Sequence, residues 1–310
     1  MTSPRDVRTP EPQPQVWTVE TVLQWATDDF RSRGLESPRI DAELLIGHAL
    51  SATRIELIVH SRRVLGADEL GRIRTLVQRR RAHEPIAYIL GEREFYGRVF
   101  RVDRRVLVPR PDTETLVAVA IERTRALSMS MRALDLCTGG GCVAITLARE
   151  RPTSSVVACD VSHEALAVAR DNALRLGAYN IAFRAGDLYS AIEPGSRFDL
   201  VTANAPYIPA GEIASLPPDV RNFEPRLALD GGEDGLRIIR SVVLQAPEYL
   251  RAGGLLAVEV AAGQAPAVTE LFERSSFGQV QVRRDYGRIE RVVSGVLESS
   301  VPTAMRSAQQ

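Results

Sequence analysis

The stretch "DLCTGGGCVAI", residues 135–145, decides the fold. The apolar run "RALDLC" (132–137) leads into three consecutive glycines, Gly139, Gly140 and Gly141, and "CVAI" then reads as the start of a helix. A strand that turns on glycine into a helix is the first half of a βα unit. Without side chains at the turn, the backbone can approach a ligand closely. Working outward, further apolar runs follow: "SSVVACD" (154–160), "IAFRAGD" (181–187), "FDLVTAN" (198–204) and "GGLLAVEV" (253–260). Helical patterns alternate with them, and "HEALAVARDNALRLG" (163–177) is the clearest. The alternation predicts an α/β domain with a parallel sheet wrapped by helices. Near the end, "VQVRRDYGRIERVVSGVL" (280–297) reads as two neighbouring antiparallel strands joined at Tyr286-Gly287-Arg288.

The residues before this domain have a different character. Thr18 can cap a helix carrying Val19, Val22, Ala26 and Phe30 on one face and ended by Gly34. Ser37-Pro38 reads as a cap and first-turn proline, opening a second helix through Asp41, Leu44, Leu45 and His48. A third carries Leu70, Ile73 and Val77. The segment "YILGEREFYGRVFRVDRRVLVPRP" (88–111) alternates apolar and polar residues around Gly91 and Gly97, which predicts a β-hairpin. The expected organisation is a disordered arm over 1–16, a helical bundle over 17–82, a hairpin linker over 83–112, the α/β domain over 113–298 and a disordered tail over 299–310.

Composition narrows the function classes. The chain has 310 residues, 45% apolar and 25% charged, with zero formal net charge, which argues against a partner held mainly through phosphate charges. No apolar run approaches the ~20 residues needed to span a bilayer. Met1 to Gln15 is polar and proline-rich, without the apolar core of a secretory signal. The three cysteines, Cys137, Cys142 and Cys159, then read as reduced thiols of a cytoplasmic protein. Cys137 and Cys142 read as small packing residues and not as nucleophiles. Their spacing fits no zinc pattern, so no metal is expected. The run Arg79-Arg80-Arg81 reads as a solvated helix end that complements the helix dipole, with a partner contact as the alternative.

Chemistry collects at the strand ends. Nineteen positions after Gly141 stands Asp160, where a carboxylate can accept from both hydroxyls of a ribose. Asp187, after the third strand, can accept from the exocyclic amine of adenine. Asn204-Ala205-Pro206-Tyr207 follows the fourth strand. The glycine turn does not fit the G-x-G-x-x-G of nicotinamide sites. Singly, Asp160 reads as a helix cap, Asp187 as a turn former and Asn204 as a turn residue. Three such roles at three successive strand ends, on the edge where open α/β sheets bind ligands, account poorly for the set.

These residues resemble a known family, the S-adenosylmethionine-dependent methyltransferases that modify a glutamine side chain in peptide chain release factors. The resemblance runs from about Trp17 to Leu297 and is carried by "EPIAYILGEREFYG", "VLVPRPDTE", the glycine turn, "NAPYIP", "FEPRLALDGGEDGL" and "LLAVEVAAGQ". It implies a Rossmann-like seven-stranded methyltransferase sheet, with the helical bundle and hairpin gripping the release factor and no direct contact with nucleic acid. It implies cofactor contacts from Asp135, Cys137, Thr138, Gly139, Gly140, Gly141, Asp160, Asp187, Leu188 and Asn204. Catalysis falls to Asn204, Ala205, Pro206 and Tyr207, acting on a monomer's own substrate site in the cytoplasm during translation termination. Three positions depart from the family pattern. Ala205 stands where Asn-Pro-Pro-Tyr has its first proline, Gly140 where Gly-Ser-Gly has serine, and Ala261 where Glu-Ile-Gly has glycine.

An amide nitrogen is a poor nucleophile, because its lone pair is delocalised into the carbonyl. The work is therefore positioning with electrostatic help. In the family, the Asn204 side-chain oxygen and the next residue's main-chain carbonyl receive the two N–H bonds of the amide, and Tyr207 covers a flat ligand face. Ala205 keeps that carbonyl but lacks proline's fixed φ. Its missing ring leaves open a different planar NH₂ substrate: a ribosomal-protein glutamine, or a small amide or guanidine. Methylation of adenine in DNA and a non-catalytic binding protein are the remaining readings.

Overall fold

A computed structural model describes residues 16–127 and 130–298. The arm expected over 1–16, save its last residue, and the tail expected over 299–310 lie outside the described residues. The chain divides into two compact units, one ending at Leu90 and the other beginning at Gly91.

The first unit contains helices α1 (Val19–Ser32), α2 (Pro38–Leu50), α3 (Arg54–Val59), α4 (Ala67–Arg81) and α5 (Ile86–Leu90). Thr18 starts α1 through a reciprocal cap: its hydroxyl accepts from the Thr21 N–H at 3.2 Å, and the Thr21 hydroxyl accepts from the Thr18 N–H at 2.8 Å. Val19, Val22, Ala26 and Phe30 then fall on one buried face, as their spacing predicts. In α2 the buried face is Ala42, Leu45, Ile46 and Ala49, while Leu44 and His48 turn outward. Ser37 makes no side-chain cap bond, so Pro38 alone marks that helix start.

The arginine run is not a solvated helix end. Arg79 pairs with Glu84 at 2.7 Å, Arg80 with Asp41 at 2.8 Å and Arg81 with Asp29 at 2.6 Å. Both side chains of the Arg80–Asp41 pair are at most 9% exposed. Each guanidinium faces a different neighbour around the helix, so one run braces three elements of the same unit. The start of the expected hairpin linker is also helical. Tyr88 and Ile89 donate to the Pro85 carbonyl, each at 3.0 Å, and Gly91 at φ 77° ends the turn. A leading proline and a trailing left-handed glycine are the usual helix boundaries.

The second unit opens with the hairpin β1 (Glu92–Phe95) and β2 (Arg98–Arg101), followed by α6 (Glu114–Arg123). Then come β3 (Arg132–Leu136), α7 (Cys142–Glu150), β4 (Ser155–Asp160), α8 (His163–Arg175), β5 (Ile181–Ala185) and β6 (Phe198–Ala203). Helices α9 (Pro218–Phe223) and α10 (Arg237–Gln245) precede β7 (Leu250–Glu259), and α11 (Ala265–Arg274), β8 (Phe277–Arg284) and β9 (Glu290–Leu297) complete the described chain. The sheet has seven strands in the order β5-β4-β3-β6-β7-β9-β8. Strands β3 to β7 are parallel, and β8 and β9 pair antiparallel at the edge. Strand alternation sends Leu134, Leu136, Val201, Ala203, Leu256 and Val258 to a core with α10 and α11. Ala133, Leu200, Leu255 and Ala257 go to the other face, against α6 and α7.

The hairpin belongs to this second core. Phe95 and Phe100 are 1% exposed and join the cluster of Leu116, Val117, Ala144 and Ile145. Asn172 on α8, fully buried, fastens it: the Arg101 N–H donates to Oδ1 at 2.8 Å, and Nδ2 donates to the Arg101 carbonyl at 3.0 Å. The same Nδ2 donates to the Gly140 carbonyl at 3.0 Å, so one side chain ties the hairpin to the glycine turn.

Candidate active site

The sheet order reverses between β3 and β6, since the chain builds outward through β4 and β5 and then returns to the other side of β3. The carboxyl edge at such a reversal is where open α/β sheets leave a crevice. A cavity of about 560 Å³ lies there, walled by the ends of β3, β4, β5 and β6.

Of the candidate cofactor residues, Asp135, Cys137, Thr138, Gly139, Gly140, Asp160, Asp187, Leu188 and Asn204 all line this cavity. Gly141 does not. It is buried at φ 85°, and an added Cβ would stand 2.7 Å from Ile145 Cδ1 and 3.2 Å from Ala169 Cβ. Its glycine serves the close approach of α7 to its surroundings. Gly139 is the opposite case: φ is 53° and nothing lies within 4 Å of an added Cβ, so its open side faces free space. Cys137 and Leu188 hold positive φ values of 56° and 48° without being glycine. Such backbone costs of order 1–3 kcal/mol and persists where the surroundings impose it.

The acids differ in their settings. Asp160 Oδ2 accepts from the Gly139 N–H at 2.8 Å and Oδ1 from the Ser162 N–H at 2.9 Å. The helix cap expected of Asp160 is supplied instead by Ser162, whose hydroxyl accepts from the Ala165 N–H at 3.1 Å, and Asp160 uses one acceptor site on each oxygen to hold the backbone of the turn. Burial pushes its pKa up, against those backbone bonds. Asp135 is 1% exposed, and its oxygens accept from the hydroxyls of Thr138 at 2.6 Å and Thr202 at 2.7 Å. Burial raises it to about 6. Asp187 is exposed, and its carboxylate has no hydrogen bond or ion pair among the described residues.

The loop after β6 separates the four candidate catalytic residues. Asn204 and Pro206 line the cavity; Ala205 and Tyr207 do not. Ala205 is 1% exposed and belongs to the core cluster with Ala203 and Val258. The space left by the missing proline ring therefore lies on the core side, not in the cavity. Tyr207 packs against the same core, and burial together with the charge of Glu259 pushes its phenol well above the ordinary range. Its carbonyl accepts from Gln264 Nε2 at 2.9 Å, and Gly235 at φ 74° passes so close that a Cβ would meet that carbonyl. Ile208 and the segment 229–231 exchange backbone bonds of 3.0 and 2.9 Å. Residues 229–235 thus act as a clamp on the loop.

Several residues in or beside the cavity have no role assigned from the sequence: Arg110 and Thr113 line it, while Glu224 and Glu259 do not. Arg110 Nη2 donates to both oxygens of Glu224 at 2.8 and 2.9 Å, joining two segments that wall the cavity. Burial pushes Glu224 up to about 7 against the pull of Arg110. Thr113 is 1% exposed and its hydroxyl accepts from Asn204 Nδ2 at 3.1 Å. Glu259 closes β7, and burial raises it to about 7 despite the hydroxyls of Thr113 and Tyr207 and the charge of Arg291. The visible clue was a lone acid at the end of the apolar strand "GGLLAVEV". No group of three metal-ligating side chains occurs among the described residues.

Comparison with known proteins fits this geometry. The family described as the PrmC N-terminal domain matches residues 21–91, and a methyltransferase domain family matches residues 133–217. A release factor glutamine methyltransferase of Geobacter sulfurreducens is 41% identical over 283 residues, spanning 91% of this chain and 98% of that protein. One from Chlorobaculum tepidum is 42% identical over 291 residues, again 91% and 98%. Among solved structures, a methyltransferase from Pyrococcus furiosus matches with a TM-score of 0.50 at 17% identity, over 66% of this chain and 91% of that one, which speaks for the fold alone. At such identity over nearly full length, the chain belongs to the release factor glutamine methyltransferase family.

Proposed function

We propose that the chain transfers a methyl group from S-adenosylmethionine to the side-chain amide nitrogen of a glutamine in peptide chain release factors. The observation that carries this reading is the shared cavity: Asn204 lines the same 560 Å³ space as the glycine turn, Asp160 and Asp187. That volume falls within the ~300–1,000 Å³ usual for such ligands. The donor set suits an adenosine. Asp160 retains one unused acceptor site per oxygen for the ribose hydroxyls, Asp187 is unpartnered among the described residues, and Gly139 leaves its side of the turn open. Bound there, S-adenosylmethionine supplies a methyl group made electrophilic by its sulfonium.

The chain's own residues do the positioning. With Nδ2 engaged by Thr113, Asn204 has its Oδ1 left to accept from an incoming amide N–H. The main-chain carbonyl of Ala205, the second acceptor that the family resemblance implies, belongs to a residue that is 1% exposed and outside the cavity lining, so Asn204 Oδ1 is the acceptor that the cavity presents to the amide. Tyr207 remains protonated and works from the core side, backing the loop, not covering the ligand. No dedicated base is needed, because an N-methylated amide cation loses its proton readily to water. Methylation of adenine in DNA has no support from relatives named for glutamine methylation, nor from a chain of zero net charge. No helix among the described residues is long and apolar enough to cross a membrane. The reading is of a monomeric cytoplasmic enzyme whose helical unit engages the protein substrate.

The test is transfer of labelled methyl from S-adenosylmethionine to purified release factor, with wild type and Asn204→Ala. Asn204→Ala should bind the cofactor nearly normally and turn over about a hundredfold more slowly, the usual cost of losing one oriented polar contact. Equal turnover by the variant would contradict the role given to Asn204.

A further inference from the structure

Two stretches of chain, from Arg105 to Arg110 and from Pro225 to Ala228, contribute to the wall of the cavity. They are fastened to each other twice. The Arg104 guanidinium lies over the Phe223 ring, 4.7 Å from its centroid, and Arg110 Nη2 donates to both oxygens of Glu224, whose side chain is 1% exposed. Both stretches are also tied to the loop that carries Asn204. The Ile208 N–H donates to the Leu229 carbonyl at 3.0 Å, and the Gly231 N–H donates to the Ile208 carbonyl at 2.9 Å. Thr113, three residues beyond Arg110, accepts from Asn204 Nδ2 at 3.1 Å. The short turn Arg226–Ala228 is therefore braced at both ends. Its central residue, Leu227, lines the cavity and is nevertheless 59% exposed. It belongs to neither apolar core of this unit.

We propose that Leu227 is a docking residue for the protein substrate, packing against the segment of release factor that carries the target glutamine. This rests on the reading of Asn204 as the acceptor for the substrate amide. A glutamine side chain is short, so its backbone must come down to the rim when the amide meets Asn204. The residues flanking that glutamine then lie against whatever stands on the rim. A single exposed leucine is ordinary on a protein surface. One on a braced turn beside the entry path is different, because a contact already held in place loses little freedom on binding. The methyl donor makes no such demand. Its candidate contacts, Gly139, Asp160 and Asp187, follow β3, β4 and β5, whereas the turn is bonded to the loop after β6. A free glutamine or small amide would leave Leu227 wet, and a protein segment would cover it, so the same contact favours glutamine within a protein.

The experiment uses the full chain with purified release factor and saturating S-adenosylmethionine. It measures kcat, KM for release factor, cofactor Kd and Tm for Leu227→Ala, Leu227→Asp and Leu227→Met. Leu174→Asp, at a 68% exposed position on α8, is the control for a charge placed on the surface. Covering a leucine that is now more than half exposed predicts a rise in KM of about five- to tenfold for Leu227→Ala. Leu227→Asp should raise KM by more than about tenfold, since it sets a charge against the incoming segment. Leu227→Met keeps the apolar volume and should hold KM within about twofold of wild type. A contact made equally in the ground and transition states moves KM alone, so kcat and cofactor Kd should stay within about twofold. Tm should barely move, as for other exposed substitutions. Leu174→Asp should change none of the four. Unchanged KM in Leu227→Ala and Leu227→Asp would overturn the proposal and leave the function standing. A rise in cofactor Kd, or a fall in Tm in step with KM, would place Leu227 against the cofactor or in the scaffold and overturn it equally. If wild type itself transfers no methyl to release factor while binding the cofactor, the underlying reading fails instead.

Discussion

Asn172 lets the link between scaffold and site be tested quantitatively. Asn172→Ala removes three hydrogen bonds from a fully buried side chain, two to Arg101 and one to Gly140. At about 1 kcal/mol net for each bond, the loss is about 3 kcal/mol, more if the Arg101 N–H finds no water. For a unit of this size, each kcal/mol lowers Tm by about 2–4 °C, so the transition should fall by about 6–12 °C. Asn172→Asp should be worse at neutral pH. It keeps an acceptor for the Arg101 N–H but sets a carboxylate against two carbonyl oxygens. Calorimetry on the full chain measures both variants, and titration with S-adenosylmethionine measures a second consequence. Freed from Asn172, the Gly140 carbonyl no longer fixes the turn, and cofactor affinity should weaken along with stability. A fall in Tm of less than about 2 °C for Asn172→Ala, below the shift of even one such bond, would refute the idea that this side chain joins hairpin and turn.

Other variants probe the site directly. Asp160→Ala loses its candidate ribose contacts as well as its bonds from Gly139 and Ser162, so cofactor affinity should fall at least about tenfold given ~1.5–3 kcal/mol per charge-assisted bond; unchanged affinity by calorimetry would remove Asp160 from the binding set. Burial lifts Asp135 from 3.8 to about 6. The folded state therefore binds its proton more tightly than the unfolded state, and that contribution is present below about pH 4 and lost as pH rises toward 6. Asp135→Asn removes this dependence, so between pH 4 and 7 its stability should gain on wild type by about 3 kcal/mol; parallel stability curves would count against the shift. Ala205→Pro points its ring at the core, where Ala205 is 1% exposed. It should change turnover on release factor by less than about twofold, with stability moving by up to about 1 kcal/mol; a selective fall in turnover would put this residue against the substrate instead.

Strand ends were the most legible part of the sequence. Gly139, Asp160, Asp187 and Asn204 each follow an apolar run, and the period of such runs fixes which edge of the sheet they share. Local pattern also exposed α1, α4 and the β8–β9 pair. What it could not convey was direction and long-range pairing. Gly141 looks like its two neighbours in sequence, yet it faces Ile145 and Ala169 instead of the cavity. Ala205 and Tyr207 sit beside Asn204 in the chain but turn toward the core, because successive residues leaving a strand face different ways. Thr113 lies 91 positions from Asn204, so their meeting is a product of topology and leaves no local trace. The arginines at 79–81 looked solvated because their three acids are spread over residues 29–84.

The most direct test of the central claim is the mass of the release factor itself. Purified release factor is incubated with the chain and S-adenosylmethionine, digested, and fragmented to locate any added mass. The account predicts the gain of a single methyl group on one glutamine side chain of the release factor, dependent on Asn204. An unmodified glutamine after prolonged incubation, with cofactor demonstrably bound, would contradict it.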